Sequence, residues 1–176
     1  MDQQASVRFL TDLPEEKMKN ELLQAFTARY GASSEEIICI ASPARINIIG
    51  EHIDYNGGKV FPAAIDRYLY VILRKRADSK IIYDDIRFPG AMEFSITDTF
   101  TYRKESQYAN YLNGMLSILQ KKGCVLNTGF EVLFFSKLPA GGGISSSAAL
   151  EIGFGRAVIL MPLILQKWDR NLSIPL

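Results

Sequence analysis

The sequence predicts an α/β (α+β) fold in which strands and helices alternate along the chain. Apolar residues recur every four positions at Met18, Leu22, Phe26 and Tyr30, as on one face of a helix. Further on, the apolar segment 130–136 runs directly into a stretch of glycines and serines. A strand, a glycine-rich loop and a helix in that order are typical of folds that bind phosphate.

The first half of the chain is predicted to contain one helix and four strands. The helix begins at a capping-box-like pair, Asp12 and Glu15, and ends at Gly31. Apolar runs rich in β-branched residues predict strands over 37–40, 45–49, 68–74 and 80–83. The basic cluster 74–76 closes the third of these strands and is interpreted as a solvated strand terminus.

The second half is predicted to contain two helices on either side of the strand 130–136. The first covers residues 104–122 and ends at Gly123, and the second begins near Ala148 and is interrupted by Pro162. For the apolar and aromatic residues of the 104–122 helix, core packing is preferred over a cofactor role: Tyr108, Tyr111, Leu112, Met115 and Leu119.

The composition argues against several classes of function. The chain has 20 lysines and arginines and 19 aspartates and glutamates, so no net field favours nucleic acid or an anionic membrane. The longest apolar run, residues 157–165, is about half of the roughly 20 residues that span a bilayer. The N-terminus lacks the pattern of a signal peptide, and Cys39 and Cys124 lack metal-like spacing. We therefore expect a cytoplasmic protein with reduced thiols and no evident protein partner.

Residues 138–151, with the sequence LPAGGGISSSAALE, are predicted to form a phosphate-binding loop. Small residues let several backbone N–H groups point into one concavity, and the following helix adds its free N–H groups and its dipole. The serine hydroxyls can donate to phosphate or bind Mg²⁺. A glycine-rich turn capped by serine is the alternative. The lysine of a P-loop and the third glycine of a dinucleotide fingerprint are both missing.

Residues 44–66 are predicted to bind a polyhydroxylated ligand. Glu51, His52 and Asp54 follow a short strand and precede the turn 56–58. Unpaired carboxylates are poor core material, whereas they accept charge-assisted hydrogen bonds from sugar hydroxyls. A solvated polar turn with His52 at the surface is the alternative. Because His52 is the one histidine in the sequence, histidine-rich metal sites are excluded.

Together these two segments resemble the galactokinase branch of the GHMP kinase family. The first is similar to its signature GRxNLIGEHTDYN, with Ala44 in place of the leading glycine and Ile53 in place of the threonine. The second is similar to the phosphate-binding motif that all GHMP kinases share. A weaker likeness covers residues 107–114, where the family usually has tryptophan at the position of Tyr108. The resemblance extends over about residues 36–158.

The resemblance implies transfer of the γ-phosphate of ATP to the C1 hydroxyl of galactose. It places Glu51, His52 and Asp54 around galactose and Arg45 beside the transferring phosphoryl group. Either Asp84 or Asp85 could contact the nucleotide, although no local pattern makes this specific. The ATP phosphates would be wrapped by one continuous run, in which Ser147 also binds Mg²⁺: Gly141, Gly142, Gly143, Ile144, Ser145, Ser146 and Ser147.

The resemblance also predicts a division of the chain. Residues 1–159 are expected to form the galactokinase-like N-terminal domain, and residues 160–176 a tail outside the family. In the family a general-base aspartate, a magnesium-binding glutamate and a second domain follow the second motif. The tail resembles none of these, which favours a truncated or frame-shifted reading frame and a chain without activity of its own. A galactose- and ATP-binding regulator, or a kinase for a related sugar such as N-acetylgalactosamine, remains open.

Overall fold

The computed structural model describes residues 6–9, 15–50, 53, 56–136, 146–161 and 165–166. Three helices are present in these ranges: α1 (Glu16–Tyr30), α2 (Ala109–Lys121) and α3 (Ser146–Leu160), and a 3₁₀ turn at Lys104–Ser106 precedes α2. The strands are β1 (Val7–Phe9), β2 (Ile37–Ile49), β3 (Phe61–Lys75), β4 (Lys80–Asp85), β5 (Met92–Ser95), β6 (Val125–Leu126), β7 (Phe130–Ser136) and β8 (Leu165–Gln166).

Six strands form one mixed sheet in the order β1-β2-β3-β7-β4-β5, and β6 pairs with β8 in a separate two-stranded sheet. Strand β3 is antiparallel to both β2 and β7, while β4 is parallel to β7. As a result β2, β7 and β4 all run in the same direction and end at the same edge of the sheet. The predicted mixed α/β architecture is confirmed, and this edge is where loops can build a site.

The sheet is covered on both faces, which explains why every residue of β7 is buried. Helices α2 and α3 cover one face and form the larger core with residues such as Leu112, Phe154, Leu69, Val71 and Phe134. Helix α1 covers the other face with Leu22 and Phe26, which pack against Cys39, Ile72 and Leu133. Both cysteines are buried and free, and burial raises the pKa of the Cys39 thiol to about 12.

The regular elements are longer than the local sequence pattern predicts. Residues 37–40 and 45–49 belong to the single strand β2, because both pair with the long strand β3 across two register shifts. Strand β3 likewise begins at Phe61 instead of Tyr68. The short strands β1 and β5 were not predicted, since three or four residues carry too little pattern.

Three details of the helices differ from the prediction. Helix α2 begins at Ala109, because Gln107 has φ 39° and interrupts the predicted segment just after the 3₁₀ turn. Tyr111 is half exposed instead of buried, since the buried stripe of α2 runs through Leu112, Leu116 and Leu119 on another side of the helix. Helix α1 ends at Tyr30, and Gly31 follows with φ 75°, as predicted. The predicted capping-box start is wrong, because Glu15 itself is the N-cap, without a side-chain capping bond, and the helix begins at Glu16.

The interpretation of residues 74–76 as a solvated strand terminus is wrong for Arg74, which is 5% exposed. Its Nε donates to Oε1 of Glu131 at 2.7 Å, and its other nitrogens donate to the carbonyls of Tyr30 and Gly31. The same glutamate accepts from Arg76 at 2.7 Å. Glu131 lies directly opposite Arg74 on β7, so the charge is buried because it is fully paired. This network joins the end of α1 to the sheet.

We predict that Glu131→Gln destabilises the chain by about 3 kcal/mol, because breaking one side of a buried ion pair leaves the other charge uncompensated. Glu93→Gln is the matched control, since Glu93 pairs with Lys80 at 2.8 Å but both side chains are half exposed. Its loss should stay below about 1 kcal/mol. Urea unfolding measures both variants, and equal losses would contradict a structural role for the Glu131 network.

Candidate functional site

Strands β2 and β3 extend past the rest of the sheet as a two-stranded ribbon that carries Arg45. The last pair between β3 and β7 is Leu69 with Ser136, whereas β2 and β3 remain paired from Arg45–Ala64 to Ile49–Phe61. Arg45 is partly buried, and its Nε is shielded from solvent. The ribbon therefore holds the predicted charge-stabilising residue on regular, paired backbone near the carboxyl edge of the sheet.

A tight turn closes the ribbon at the residues around the predicted sugar site. Gly50 has φ 98°, and an added Cβ would lie 2.7 Å from the carbonyl oxygen of Lys59, so glycine is required there. The Ile53 N–H donates to the Gly50 carbonyl, and the Ile53 carbonyl accepts from Asn56 and Gly58. Three predicted sugar ligands fall outside the described residues: Glu51, His52 and Asp54.

The predicted phosphate loop lies between β7 and α3, which confirms the strand–loop–helix order on its flanks. Strand β7 ends at Ser136, and α3 begins at Ser146. Ser146 and Ser147 occupy the first turn of α3, where backbone N–H groups lack helical partners, and Ser147 is exposed. The remaining predicted members of the loop lie outside the described residues: Gly141, Gly142, Gly143, Ile144 and Ser145.

The direction of α3 follows from two contacts along its length. A Cβ on Gly153 would lie 3.0 Å from the Cβ of Ser42, so the middle of α3 sits over Ser42 of β2. The carbonyl of Leu160 accepts from Arg8 at 3.4 Å, and Arg8 pairs with Ile38. Helix α3 therefore runs antiparallel to β2.

The N-terminus of α3 thus lies at the same end of β2 as Arg45. Seven residues from Gly153 back to Ser146 span about 10 Å of helix. The three residues from Ser42 to Arg45 span about 10 Å of strand in the same direction. The fold therefore brings the ribbon and the start of α3, which are 100 residues apart in sequence, to one end of the sheet.

Neither of the two aspartates that could contact a nucleotide is available in this structure. Asp84 is buried and pairs with Arg29, whose Nε lies 2.6 Å from its Oδ2. Asp85 is fully buried and accepts from the backbone and guanidinium of Arg87, with a shortest distance of 2.6 Å. Carboxylates held by arginines in this way are structural, so the geometry favours neither as a ligand.

Tyr108 lies beside this pair with a buried hydroxyl group. Its ring stacks on Phe88 with centroids 5.5 Å apart and meets the edge of Phe134 at 6.2 Å. Within the described part of the chain the hydroxyl has no hydrogen-bond partner. Burial raises the pKa of Tyr108, and Asp85 and Asp84 raise it further, so the hydroxyl stays protonated at neutral pH. The predicted core-packing role of Tyr108 is confirmed.

Two polar residues near the site were not predicted from the sequence. Glu151 follows Ser147 by one helical turn on α3, and burial raises the pKa of its carboxyl group. Asn47 lies two residues after Arg45 on β2, and its Oδ1 is buried without a partner among residues the structure describes. The burial of Glu151 depends on neighbours that only the fold supplies. Asn47 is the asparagine of the signature GRxNLIGEHTDYN, which is the local signal that could have found it.

A surface cavity of about 320 Å³ lies elsewhere on the same helix. Residues 40–43 of β2 line it together with Ile152, Gly153 and Arg156 of α3. Its lining includes neither Arg45 nor Ser147, so it is distinct from the predicted site.

In the described ranges no helix combines the length and apolar character of a membrane span, and no group of three acidic, histidine or cysteine side chains could hold a metal.

Comparison with known proteins identifies both motifs independently. The galactokinase galactose-binding signature matches residues 24–75, which include the ribbon. The N-terminal domain of GHMP kinases matches residues 110–169, which include α2 and α3. The chain belongs to the galactokinase branch of the GHMP kinase family. The second match extends past residue 159, and the division predicted there stays a prediction.

Galactokinases from several bacteria are similar to this chain over most of its length. The galactokinase of Clostridium beijerinckii is 38% identical over 138 residues, and that of Enterococcus faecalis is 41% identical over 140 residues. These alignments cover 77% and 78% of this chain but 35% of each relative. The chain therefore spans about a third of the length of the curated relatives it matches.

Solved structures of kinases are also similar to this chain. The crystal structure of Lactococcus lactis galactokinase complexed with galactose superposes with a TM-score of 0.72 and 34% identity. That match covers 90% of this chain and 39% of the galactokinase. Methanococcus jannaschii mevalonate kinase matches with a TM-score of 0.57 and 22% identity, over 72% of this chain and 40% of its own, which shows the shared fold.

We predict that Gly153→Ala destabilises the chain and displaces the start of α3. The new Cβ would lie 2.9 Å from Cγ2 of Val71 and 3.0 Å from Ser42, so helix or sheet must shift. The expected loss is about 1–3 kcal/mol. Gly114→Ala is the matched control on α2, where an added Cβ meets nothing within 4 Å, and it should stabilise by roughly 0.5–1 kcal/mol. Thermal unfolding distinguishes the two, and a stabilised Gly153→Ala variant would contradict the close packing.

Proposed function

We propose that this chain provides the sugar- and nucleotide-binding surfaces of a galactokinase, an ATP-dependent kinase that converts galactose into galactose 1-phosphate. The observation that carries the proposal is the convergence of the Arg45 ribbon and the N-terminus of α3 at one end of the sheet. The relative from Lactococcus lactis, which is similar over 90% of this chain, was solved with galactose.

The two motifs have different roles in the proposed reaction, since one binds ATP and the other binds the sugar and stabilises charge. Backbone N–H groups of 141–147 and the positive end of α3 suit the phosphates of ATP. Arg45 supplies fixed positive charge where negative charge develops on the transferring phosphoryl group. Glu51, His52 and Asp54 suit the hydroxyls of galactose, which their oxygen and nitrogen acceptors can orient toward the γ-phosphate.

Mg²⁺ fits the start of α3. Ser147 is exposed in the first helical turn, where its hydroxyl oxygen is accessible to a metal ion. Mg²⁺ prefers oxygen ligands and usually binds through few protein groups together with substrate phosphates and water. Ser147 would hold the ion, with the half-buried carboxylate of Glu151 one turn further along the helix. The bound ion neutralises phosphate charge.

A kinase is favoured over a regulator because the run Ser145-Ser146-Ser147-Ala148 is intact in this chain. A related sugar such as N-acetylgalactosamine remains the second substrate candidate, and direct binding of both sugars compares them. The cytoplasmic location and the absence of nucleic-acid, membrane and protein partners stay predictions.

We predict that Asp54→Ala lowers the affinity for galactose about 10- to 100-fold, because it removes a charge-assisted hydrogen bond to the sugar. Affinity for MgATP should not change, since the phosphate loop is a separate segment. Isothermal titration calorimetry with each ligand gives both values. Unchanged galactose binding would remove Asp54 from the sugar site.

We predict that Ser147→Ala weakens binding of MgATP about tenfold and has little effect on ATP in the presence of EDTA, because it removes a ligand to the metal. Ser145→Ala should have a smaller effect, since its backbone N–H remains. Equal, negligible effects in calorimetry would favour a serine-capped turn over a magnesium ligand.

A coupled assay of galactose-dependent ATP consumption tests turnover by the 176-residue chain itself, which we expect to be absent. A general base typically contributes about 10²- to 10⁴-fold to such a transfer, and the resemblance places that base outside this sequence. Turnover that disappears in the Asp54→Ala variant would contradict this expectation while supporting the sugar site.

A further inference from the structure

Asn47 holds a buried hydrogen-bond acceptor that nothing in the described structure satisfies. Its side-chain Oδ1 is shielded from solvent and accepts no hydrogen bond from any of the residues described. Buried polar atoms in folded proteins nearly always have a partner, so each exception needs an explanation. Asn47 lies on the regular, paired part of the ribbon, and a fixed backbone therefore holds the amide in place.

The cross-strand neighbours of Asn47 explain why the described part of the ribbon provides no donor. The nearest cross-strand positions on the same face are Pro62 and Ala64, and neither side chain has a hydrogen-bond donor. On its other side, β1 pairs with β2 at residues 37–39 alone, so within the described ranges no strand flanks Asn47 there. The donor must therefore come from outside the ribbon.

Asn47 and Arg45 lie on the same face of the ribbon. The register is regular from Arg45–Ala64 through Ile46–Ala63 to Asn47–Pro62, so side chains alternate strictly over these positions. Residues two apart on a strand share one face, whereas Ile46 between them belongs to the opposite one. A ligand that reaches Arg45 thus passes beside the unsatisfied amide of Asn47.

We infer that Asn47 is a sugar-binding residue, and that its Oδ1 accepts a hydrogen bond from one hydroxyl group of the bound sugar. The inference rests on the proposed function, because it takes the ligand beside Arg45 to be a sugar. A hydroxyl group is the donor class that a polyhydroxylated ligand supplies in excess. The free chain leaves the acceptor unsatisfied, and binding of the sugar satisfies it.

Three variants measured with galactose by calorimetry test this role. Asn47→Leu keeps the approximate shape and removes the acceptor, so galactose affinity should fall roughly three- to tenfold, as for one neutral hydrogen bond. Asn47→Asp keeps acceptor oxygens beside Arg45 and should bind within about threefold of the unmodified chain. Ile46→Ala, on the opposite face at 39% exposure, is the control and should not change the affinity.

The stability of the ligand-free variants separates binding from a structural role. Because the acceptor is unsatisfied in the free chain, replacing it by an apolar group of similar shape should leave the melting temperature unchanged or raise it. A residue that stabilised the ribbon through its amide would show the reverse. A clear drop in melting temperature for Asn47→Leu would overturn the inference.

Monodeoxy sugars identify the hydroxyl and make the result specific. The unmodified chain should bind less tightly to the galactose derivatives that lack the hydroxyl at C2, C3, C4 or C6. In Asn47→Leu, one of these derivatives should bind as well as galactose, because the missing hydroxyl no longer has its acceptor. The same pattern of losses in both proteins, or unchanged galactose affinity in Asn47→Leu, would overturn the role of Asn47 alone. Failure of the unmodified chain to bind galactose would overturn the proposed function and this inference together.

Discussion

The geometry of the candidate site depends on the close contact of α3 with β2 and β3 at Gly153. With no side chain there, the helix approaches until an added Cβ would lie 2.9 Å from Val71 and 3.0 Å from Ser42. Packed helices and sheets move as rigid bodies, so this contact sets the depth of the whole helix, including its first turn at Ser146. A displacement of 1 Å at Gly153 would pass to the N–H groups of that turn, which we propose bind a phosphate, and such distances matter for catalysis in general.

The two ends of the sheet differ in how completely their buried polar groups are hydrogen-bonded. At one end of β3, Arg74, Arg76 and Glu131 satisfy one another and hold the end of α1. At the other end, which carries the ribbon and the start of α3, Asn47 Oδ1 remains unsatisfied among the described residues. The paired end stabilises the fold, whereas the Oδ1 of Asn47 is an acceptor that we propose a ligand satisfies. Proteins commonly lose stability at functional sites in this way.

The ribbon connects these two roles. Pairing with β3 over its whole length gives β2 the rigidity of the sheet beyond the point where β7 ends. Regular alternation then presents Arg45 and Asn47 on one face, and Gly50 allows the end of β2 to lie against Lys59 and Val60, just before β3. A binding surface on paired strands is held more precisely than one on a free loop. The cross-strand side chains of Pro62 and Ala64 offer no donor to the amide oxygen of Asn47, which we propose a ligand satisfies.

The sequence by itself determined the family, the mixed fold, the end of helix α1, strand β7 and the order of strand, glycine-rich segment and helix. These features depend on local periodicity and on motifs whose residues are adjacent in the chain. Only the tertiary structure decided that β2 is one strand, that Arg74 is buried against Glu131, and that Asp84 and Asp85 are held by arginines. The same is true of the unsatisfied Oδ1 of Asn47, because the cross-strand side chains of Pro62 and Ala64 have no donor. Each of these outcomes depends on pairing or contact between residues that are distant in sequence. A local sequence pattern does not predict which distant residues will pair.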